Sequence, residues 1–467
     1  MKESEVVSSL RELPHTRTHT PTPADVWFTH GTKRFEPGPQ LPWHPQRASS
    51  EEAIVVNETE SFQEILGFGA ALTDAACYLL KDLPSSSRDK FLREFFDPGE
   101  TGLNVCRICM GSSDYATRPY SYNEGDPDPD MGRFSIDQDR AYILPVLHEV
   151  RRWCPDLFVV ASPWSPPGWM KAGGSMLGGS IQRKHFPAYA KYFLKFIESY
   201  GAAGVPIHAV TVQNEVDTDQ EGRMPACLWG QGDEIRFVGD HLGPCFAAHQ
   251  IQSKIWILDH NYDLWGRALC ELANPKVAKF ADGIAWHGYT GEPAQMTLVK
   301  NMHPDKHMYF TEGGPEDMHD PCLETNWVHW SSKFTDILKN WARCIITWNV
   351  ALDEKGKPNI GPFSCAGLVT IDSQTQQIIP SGQYWALGHY SRGVRRGARR
   401  LESAGRPADI SHVAFLNPDE SYAMVLTNAG ANSKTVSVAV SGWETEIDLP
   451  ADSVATMTWS KASRGER

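Results

Sequence analysis

Eight short, β-rich runs of apolar residues recur along this chain, and their recurrence constrains the fold more than any other feature. Most of these runs are continuously apolar, which is typical of strands that are buried on both faces of a sheet. Amphipathic helical segments lie between them, such as HFPAYAKYFLKFIESYG at 185–201. Eight strands that alternate with helices predict a parallel (β/α)8 barrel of the α/β class. The runs are ILGFGA (65–70), NVCRICM (104–110), FVVASPW (158–164), IHAVTVQNE (207–215), KIWILDH (254–260), GIAWHGY (283–289), HMYFTEG (307–313) and CIITWNV (344–350).

A different periodicity begins after about residue 395. Short runs there alternate apolar and polar residues, and turn-forming residues separate them, as in antiparallel sheets. Two earlier runs, DVWFT at 25–29 and AIVVNE at 53–58, can add strands to the same structure. The sequence therefore predicts a TIM barrel with a β-sandwich side domain built from both chain ends. The expected segments are a flexible N-terminal stretch (1–24), N-terminal strands (25–58), the barrel (60–394) and the C-terminal sandwich (395–460).

The charge balance argues against two classes of partner. Lys and Arg number 44 against 57 Asp and Glu, which gives a net charge of −13. A protein that binds nucleic acid or an anionic membrane needs a basic surplus, so neither partner is expected. No apolar run approaches the ~20 residues that cross a bilayer, and the N-terminus has no apolar signal-peptide core. We expect a soluble protein that is cytoplasmic, or secreted and trimmed, and the oligomeric state stays open.

Polar and aromatic residues terminate most of the predicted barrel strands. In a (β/α)8 barrel the active site lies at the carboxyl ends of the strands, so these side chains should converge on one pocket. Indole faces stack on sugar rings, while amides and carboxylates bind the hydroxyls. The alternative for any one tryptophan is a place in the barrel core, and Trp286 should face away from its neighbour His287. The strand-end residues of interest are Asp114, Trp164, Trp169, Asn214, Glu215, Trp286, His287, Tyr289, Glu312 and Trp348.

Glu215 and Glu312 are the two glutamates that end predicted strands. Their strands, the fourth and the seventh, lie across the barrel mouth, so the carboxylates can flank a ligand. Cleavage of a glycosidic bond needs such a pair, one protonated to donate to the leaving oxygen and one ionised. The alternative is that these glutamates form ion pairs with barrel arginines such as Arg107.

Seven ordered motifs resemble glycoside hydrolase family 30, and most closely its glucosylceramidase-type branch. The resemblance implies the barrel and side domain described above, and a retaining β-glycosidase that needs no cofactor or metal. It implies Glu215 as the acid/base, with a raised pKa, and Glu312 as the nucleophile. It also assigns Asp114, Trp164, Asn214 and Trp348 to the sugar pocket, and His287 and Tyr289 to the surroundings of the nucleophile. The motifs are GFGAALTDAA (67–76), RICMGSSDYA (107–116), ASPWSPPGWMK (161–171), TVQNE (211–215), AWHGY (285–289), FTEG (310–313) and TWNVAL (347–352).

The resemblance fails in the loop after the eighth strand, NIGPFSCAGLVTID at 359–372, so no residue there is assigned a role. The expected substrate is a β-linked glucoside, either glucosylceramide-like or a β-glucan or oligosaccharide. The sugar and the leaving group stay open.

Two other functions remain possible from the sequence. One is a metal-dependent barrel hydrolase that uses His287 with Asp or Glu ligands, and the other is a non-catalytic carbohydrate-binding barrel. The acidic loop 123–132 approaches the spacing of an EF-hand, but Met131 stands where the loop requires glycine. We therefore expect a solvated loop rather than a calcium site. His303 and His307 precede the seventh strand, away from the expected active face, and are interpreted as surface residues.

Overall fold

The computed structural model describes residues 20–47 and 53–462. Most of the stretch 1–24, expected to be flexible, lies outside these residues. Its described part is tied to the sheet, since the Thr22 N–H donates to the Ser460 carbonyl and the Ala24 N–H to the Leu41 carbonyl. The chain thus pairs with other segments before the first strand begins. The strands that precede the barrel are β1 (Asp25–His30), β2 (Lys33–Pro37), β3 (His44–Pro45) and β4 (Ile54–Glu64).

The next eight strands close into a barrel in which every neighbouring pair is parallel, including β12 against β5. The predicted (β/α)8 architecture is confirmed. Inside the barrel, Trp256 stacks on Tyr309 with ring centroids 3.8 Å apart, which fills the end remote from the strand carboxyl ends. These strands are β5 (Gly67–Ala71), β6 (Val105–Cys109), β7 (Phe158–Ser162), β8 (Ala209–Thr211), β9 (Lys254–Asn261), β10 (Ala281–His287), β11 (His307–Glu312) and β12 (Ala342–Asn349).

Helices surround the barrel with their apolar faces inward. Pro145 is tolerated because its helix begins at Ile143, so the proline lies in the first turn, where no helical N–H is lost. The helical segment at 185–201 forms a helix that ends at Ala202, and the chain turns at Gly204, which has φ +83° and accepts the left-handed conformation. The helices are α1 (Asp74–Asp82), α2 (Ser85–Phe96), α3 (Ile143–Trp153), α4 (Phe186–Ala202), α5 (Gln231–Arg236), α6 (Gly243–Ala248), α7 (Trp265–Leu272), α8 (Pro275–Phe280), α9 (Ala294–Met302), α10 (Trp327–Lys339) and α11 (Gly382–Ser391).

A small three-stranded sheet follows the last barrel strand. It consists of β13 (Ala351–Asp353), β14 (Val369–Ile371) and β15 (Ile378–Pro380). The stretch for which the sequence assigned no role, 359–372, begins in the segment between β13 and β14 and ends just after β14. Two backbone contacts fix it beside the barrel mouth: the Ile360 N–H donates to the Asp114 carbonyl, and the Leu368 N–H to the Asn349 carbonyl.

Ten strands form the side domain, in the order β2-β1-β21-β18-β17-β16-β4-β19-β20-β3. The sheet therefore includes strands from both chain ends, and it has an apolar core of its own. It contacts the barrel through α10 and α11, where His389 lies between the hydroxyls of Thr456 and Thr29 at 2.8 Å each. In residues 20–47 and 53–462, every helix is too short or too polar to cross a membrane. The remaining strands are β16 (Arg399–Ala404), β17 (Ile410–Leu416), β18 (Ser421–Asn428), β19 (Lys434–Val440), β20 (Trp443–Leu449) and β21 (Ser453–Ser460).

Candidate active site

A pocket of about 320 Å³ opens at the carboxyl ends of the barrel strands. Seven of the eight residues assigned to the site line it, and His287 lies fully buried beneath its wall. A larger cleft, of about 500 Å³, lies between the sandwich and the barrel, but none of the predicted site residues reach it. The chemistry of the lining, rather than the volume, therefore identifies the site. The seven lining residues are Asp114, Trp164, Asn214, Glu215, Tyr289, Glu312 and Trp348.

The two glutamates approach the same nitrogen of a buried histidine. Nδ1 of His287 lies 3.5 Å from Oε1 of Glu215 and 4.0 Å from Oε1 of Glu312. Glu215 follows β8 with φ +52°, an unusual left-handed conformation for a glutamate. Its backbone N–H donates to the Asp259 carbonyl at 2.9 Å, which holds this turn in place. The two carboxylates that were predicted to lie across the barrel mouth from each other therefore both lie close to Nδ1 of His287.

Glu312 is held by two donors. Nη1 of Arg107 donates to its Oε2, and the Tyr289 hydroxyl donates to its Oε1 at 3.0 Å. The structural ion pair considered from the sequence is therefore present. It leaves Glu312 on the pocket surface, because Arg107 itself is fully buried below the carboxylate. Arg107 also binds Asn214 Oδ1 at 2.8 Å and Asp259 Oδ2 at 2.7 Å through Nη2, so one guanidinium orients three side chains.

The electrostatics of the two glutamates differ from expectation. Burial raises the pKa of Glu312, although the charges of His287 and Arg107 oppose the shift. Burial also favours the protonated form of Glu215, but the neighbouring His287 and His260 rings and Gln220 lower its pKa overall. The expected raised pKa of Glu215 is therefore wrong for the free protein. The pKa of Glu215 is lowered because of His287. Burial disfavours the charged form of this ring, but the surrounding carboxylates outweigh burial and raise the pKa of His287 to about 9.

Asp259 and His260 were missed by the sequence analysis. Leu258 and Asp259 have φ values of +72° and +50°, and the pairing with β10 skips Asp259, which forms a β-bulge. The bulge lets consecutive residues serve the site, with Asp259 buried against His287 and His260 in the pocket wall. The run KIWILDH ends in this Asp-His pair. The rule applied to the other strand ends would therefore have identified both.

The sugar-binding assignments fall into two groups. Trp164 and Trp348 stack with ring centroids 5.2 Å apart and line the pocket together. Asp114 is buried beside them, and burial together with the nearby glutamates raises its pKa. Trp169 is directed elsewhere, since its indole N–H donates to the Asn123 carbonyl at 2.8 Å. Trp286 is fully buried outside the barrel against Tyr262, as expected from its position next to His287.

The unassigned loop 359–372 does contribute to the pocket. Phe363 and Cys365 line it, and Phe363 remains 42% exposed. Tyr115 fixes this loop, because its hydroxyl accepts from the Cys365 N–H at 2.9 Å and contacts the Phe363 carbonyl at 3.3 Å. No periodicity in the sequence marks these residues, so only the three-dimensional structure reveals them.

The acidic loop 123–132 is held together by its own contacts. Asp128 accepts from the Asn123 side chain at 3.0 Å and from the Arg133 N–H at 2.8 Å, and Asp130 pairs with Lys191. A different set of side chains comes close enough to share an ion. In the described part of the chain, the one group of three possible metal ligands is Glu215, His260 and His287, whose ligand atoms lie within 4.8 Å of one another.

Comparison with known proteins agrees with this architecture. The chain matches the glycosyl hydrolase family 30 TIM-barrel domain over residues 65–394 and the family 30 beta sandwich domain over residues 397–457. The protein belongs to glycoside hydrolase family 30. This family 30 chain is a glycoside hydrolase, and its relatives include both glucosylceramidases and endo-β-glucanases.

Two curated relatives and one solved structure illustrate the range of the family 30 match. An endo-1,6-beta-D-glucanase of Neurospora crassa is 28% identical over 419 residues, which cover 85% of this chain and 86% of the relative. The lysosomal acid glucosylceramidase of Mus musculus is 27% identical over 431 residues, covering 87% and 83%. The structure of SrfJ from Salmonella typhimurium superposes with a TM-score of 0.90 at 25% identity, covering 94% of this chain and all of that one.

Proposed function

We propose that this protein is a retaining β-glycosidase that hydrolyses a β-linked glucoside through a covalent glycosyl-enzyme intermediate. Glu312 is the nucleophile and Glu215 the acid/base. The observation that carries the proposal is the convergence of both carboxylates on His287 Nδ1, at 3.5 and 4.0 Å, in a pocket walled by stacked indoles. A retaining enzyme needs its two carboxyl groups close together, at about 5–5.5 Å.

In the first step, Glu312 attacks the anomeric carbon while Glu215 protonates the departing oxygen. Arg107 fixes Oε2 of Glu312, which leaves Oε1 for the attack. Tyr289 donates to that same Oε1 in the free protein, so its hydroxyl must turn away as the bond to the sugar forms. In the second step, Glu215 takes a proton from water, which displaces the sugar from Glu312.

Glu215 needs a proton before it can act as an acid, and His287 is the nearest source. In the free protein, the His287 ring with its raised pKa holds a proton 3.5 Å from an ionised Glu215. A bound sugar displaces water from the pocket, and loss of water favours a neutral pair over a charged one. We therefore propose that the proton moves from Nδ1 of His287 to Glu215 as the substrate fills the pocket.

The pocket walls suit a neutral sugar. The faces of Trp164 and Trp348 provide apolar contact, and Asp114 and Asn214 offer oxygen and nitrogen atoms to hydroxyl groups. The relatives bear names of enzymes that act on glucosylceramide and on β-1,6-glucan, so either a lipid-linked glucoside or a glucan is the proposed substrate. Initial rates on β-glucosides that share the sugar but differ in leaving group would separate the two.

Trapping of the intermediate tests the mechanism. A 2-deoxy-2-fluoro-β-glucoside slows the second step, so peptide mapping should find the sugar on Glu312. Proton NMR of the first product should show the β-anomer before mutarotation. Labelling of another residue, or an initial α-anomer, would contradict the assigned mechanism.

A further inference from the structure

We propose that Glu215, His260 and His287 form a binding site for a divalent transition-metal ion, with zinc as the representative ion, and that the bound ion inhibits the enzyme. The binding site follows from the geometry of the three side chains alone. The inhibition rests on the proposed function, because the ion would occupy the acid/base carboxylate.

Each of the two histidines is buried and has one ring nitrogen without a hydrogen bond. His287 is fully buried and His260 is 8% exposed. Nδ1 of each ring is buried and makes no hydrogen bond to any of the residues 20–47 and 53–462. At His287, Nδ1 already faces the Glu215 carboxylate at 3.5 Å, so an ion bound between the two side chains would take the place of the ring proton. With Glu215, one atom from each side chain lies within 4.8 Å of the other two.

A second layer of contacts orients His287 as in many metal sites. Its Nε2 lies 3.1 Å from Oδ1 of Asp259, which directs Nδ1 toward Glu215. Asp259 is itself fixed by Arg107 and by the hydroxyls of Thr211 and Thr311, at 2.6 and 2.7 Å. A carboxylate on the far nitrogen of a ligating histidine fixes the tautomer and increases the basicity of the ring.

The donor set selects the class of ion. Two imidazoles and one carboxylate suit zinc and similar transition metals, whereas magnesium and calcium prefer sites made of oxygen atoms. Bonds of about 2.0–2.2 Å require the three side chains to draw slightly closer together. Glu215 and His260 line the open pocket, so a fourth position remains for water or a sugar hydroxyl. The ion replaces the proton on His287, and binding should therefore tighten as the pH rises.

Direct binding to the whole protein is the first test. Chelator-washed enzyme should compete with a chromogenic zinc indicator at pH 7.5 for one zinc per chain. The His260→Gln variant should lose at least about tenfold in affinity, the effect usual for an altered metal environment. Exposed thiols are the competing ligands, so a Cys270→Ser/Cys322→Ser variant is the matched control and should bind like the parent. Unchanged affinity in His260→Gln, or loss of the zinc in the cysteine variant, would overturn the site.

A competition experiment keeps the test decisive if His260→Gln fails to fold. A glucose-configured iminosugar that occupies the pocket of the unaltered protein should weaken zinc binding by at least about tenfold. If a saturating concentration of iminosugar leaves the zinc affinity unchanged, the ion binds outside the pocket. Thermal unfolding of each variant, compared with the parent, separates loss of a ligand from loss of the fold.

Initial rates on a nitrophenyl β-glucoside test the consequence. Zinc should lower the rate of the chelator-washed enzyme, and EDTA should restore it. If zinc binds at the site but no β-glycoside is hydrolysed either with or without it, the proposed function fails while the binding site stands. If EDTA abolishes turnover and zinc restores it, the ion is an activator and the inhibitory role is refuted.

Discussion

The buried His389 should make the contact between barrel and sandwich sensitive to acid. Its ring lies in α11 between the hydroxyls of Thr456 and Thr29, and burial, with help from Arg392, lowers its pKa to about 3. In the unfolded chain a histidine titrates near 6.5. The folded protein therefore binds fewer protons than the unfolded chain below pH 6.5, and stability must fall as the pH drops from there toward 3.

The size of this effect follows from the two pKa values. At pH 4.5 His389 is protonated in the unfolded chain and neutral in the folded protein. This difference in protonation extends over the two pH units between 6.5 and 4.5. At about 1.4 kcal/mol per unit, His389 should remove about 2–3 kcal/mol from the free energy of unfolding between pH 7.5 and 4.5. The His389→Gln variant cannot take up this proton. Its loss of stability over the same interval should be smaller than that of the parent by the same amount.

Urea unfolding at the two pH values, followed by circular dichroism and tryptophan fluorescence, measures this difference. His319→Gln is the control, because it removes an exposed histidine instead of the buried one. His389→Gln is expected to be less stable at pH 7.5, since one hydroxyl contact is lost, and only the change with pH is diagnostic. A variant that keeps the full pH dependence of the parent would refute the interpretation that His389 is neutral in the folded protein.

Three further predictions concern the pocket. Glu312→Gln should fold normally and lose at least about a thousandfold in kcat, measured with a nitrophenyl β-glucoside, and residual activity within tenfold of the parent would exclude it as nucleophile. Glu215→Ala should reduce the rate about 10²–10⁴-fold on substrates with poor leaving groups and far less on activated ones, and added azide should give a β-glycosyl azide. Equal rate losses on both kinds of substrate, without an azide product, would show that another residue is the acid/base, and Asp114 would be tested next. Tyr289→Phe removes the 3.0 Å bond to Glu312, worth about 1.5–3 kcal/mol, so the acid limb of kcat/KM should move up by about one to two pH units. An unmoved limb would mean that Tyr289 does not stabilise the ionised nucleophile.

The barrel and its pocket could be predicted because buried parallel strands have a simple pattern. A continuous apolar run has few polar residues, so a Glu, Asn or Trp at its end is conspicuous, and the fold places all such ends on one face. Seven residues found in this way line the pocket.

The sequence names Arg107 as an ion-pair partner, and the strand-end rule reaches Asp259, but the contacts that these supporting residues make could not be predicted in the same way. Arg107 lies inside an apolar run, and its contacts with Glu312, Asn214 and Asp259 join four separate segments of the chain. Asp259 depends on a bulge that breaks the two-residue alternation of its strand. The lowered pKa of Glu215 depends on the distance to His287, which no spacing along the chain encodes.

The side-domain sheet imposes an order on synthesis. β1 pairs with β21, and β4 lies between β16 and β19. These early strands are therefore synthesised long before the strands with which they pair. At about 5–20 residues per second, the ribosome needs on the order of 20–80 s to travel from residue 64 to residue 460. During that time β1 and β4 expose unpaired edges, which are prone to aggregation. A nascent chain released before residue 453 would lack β21, the strand that joins β1 to β18, and would therefore leave the sheet in two pieces.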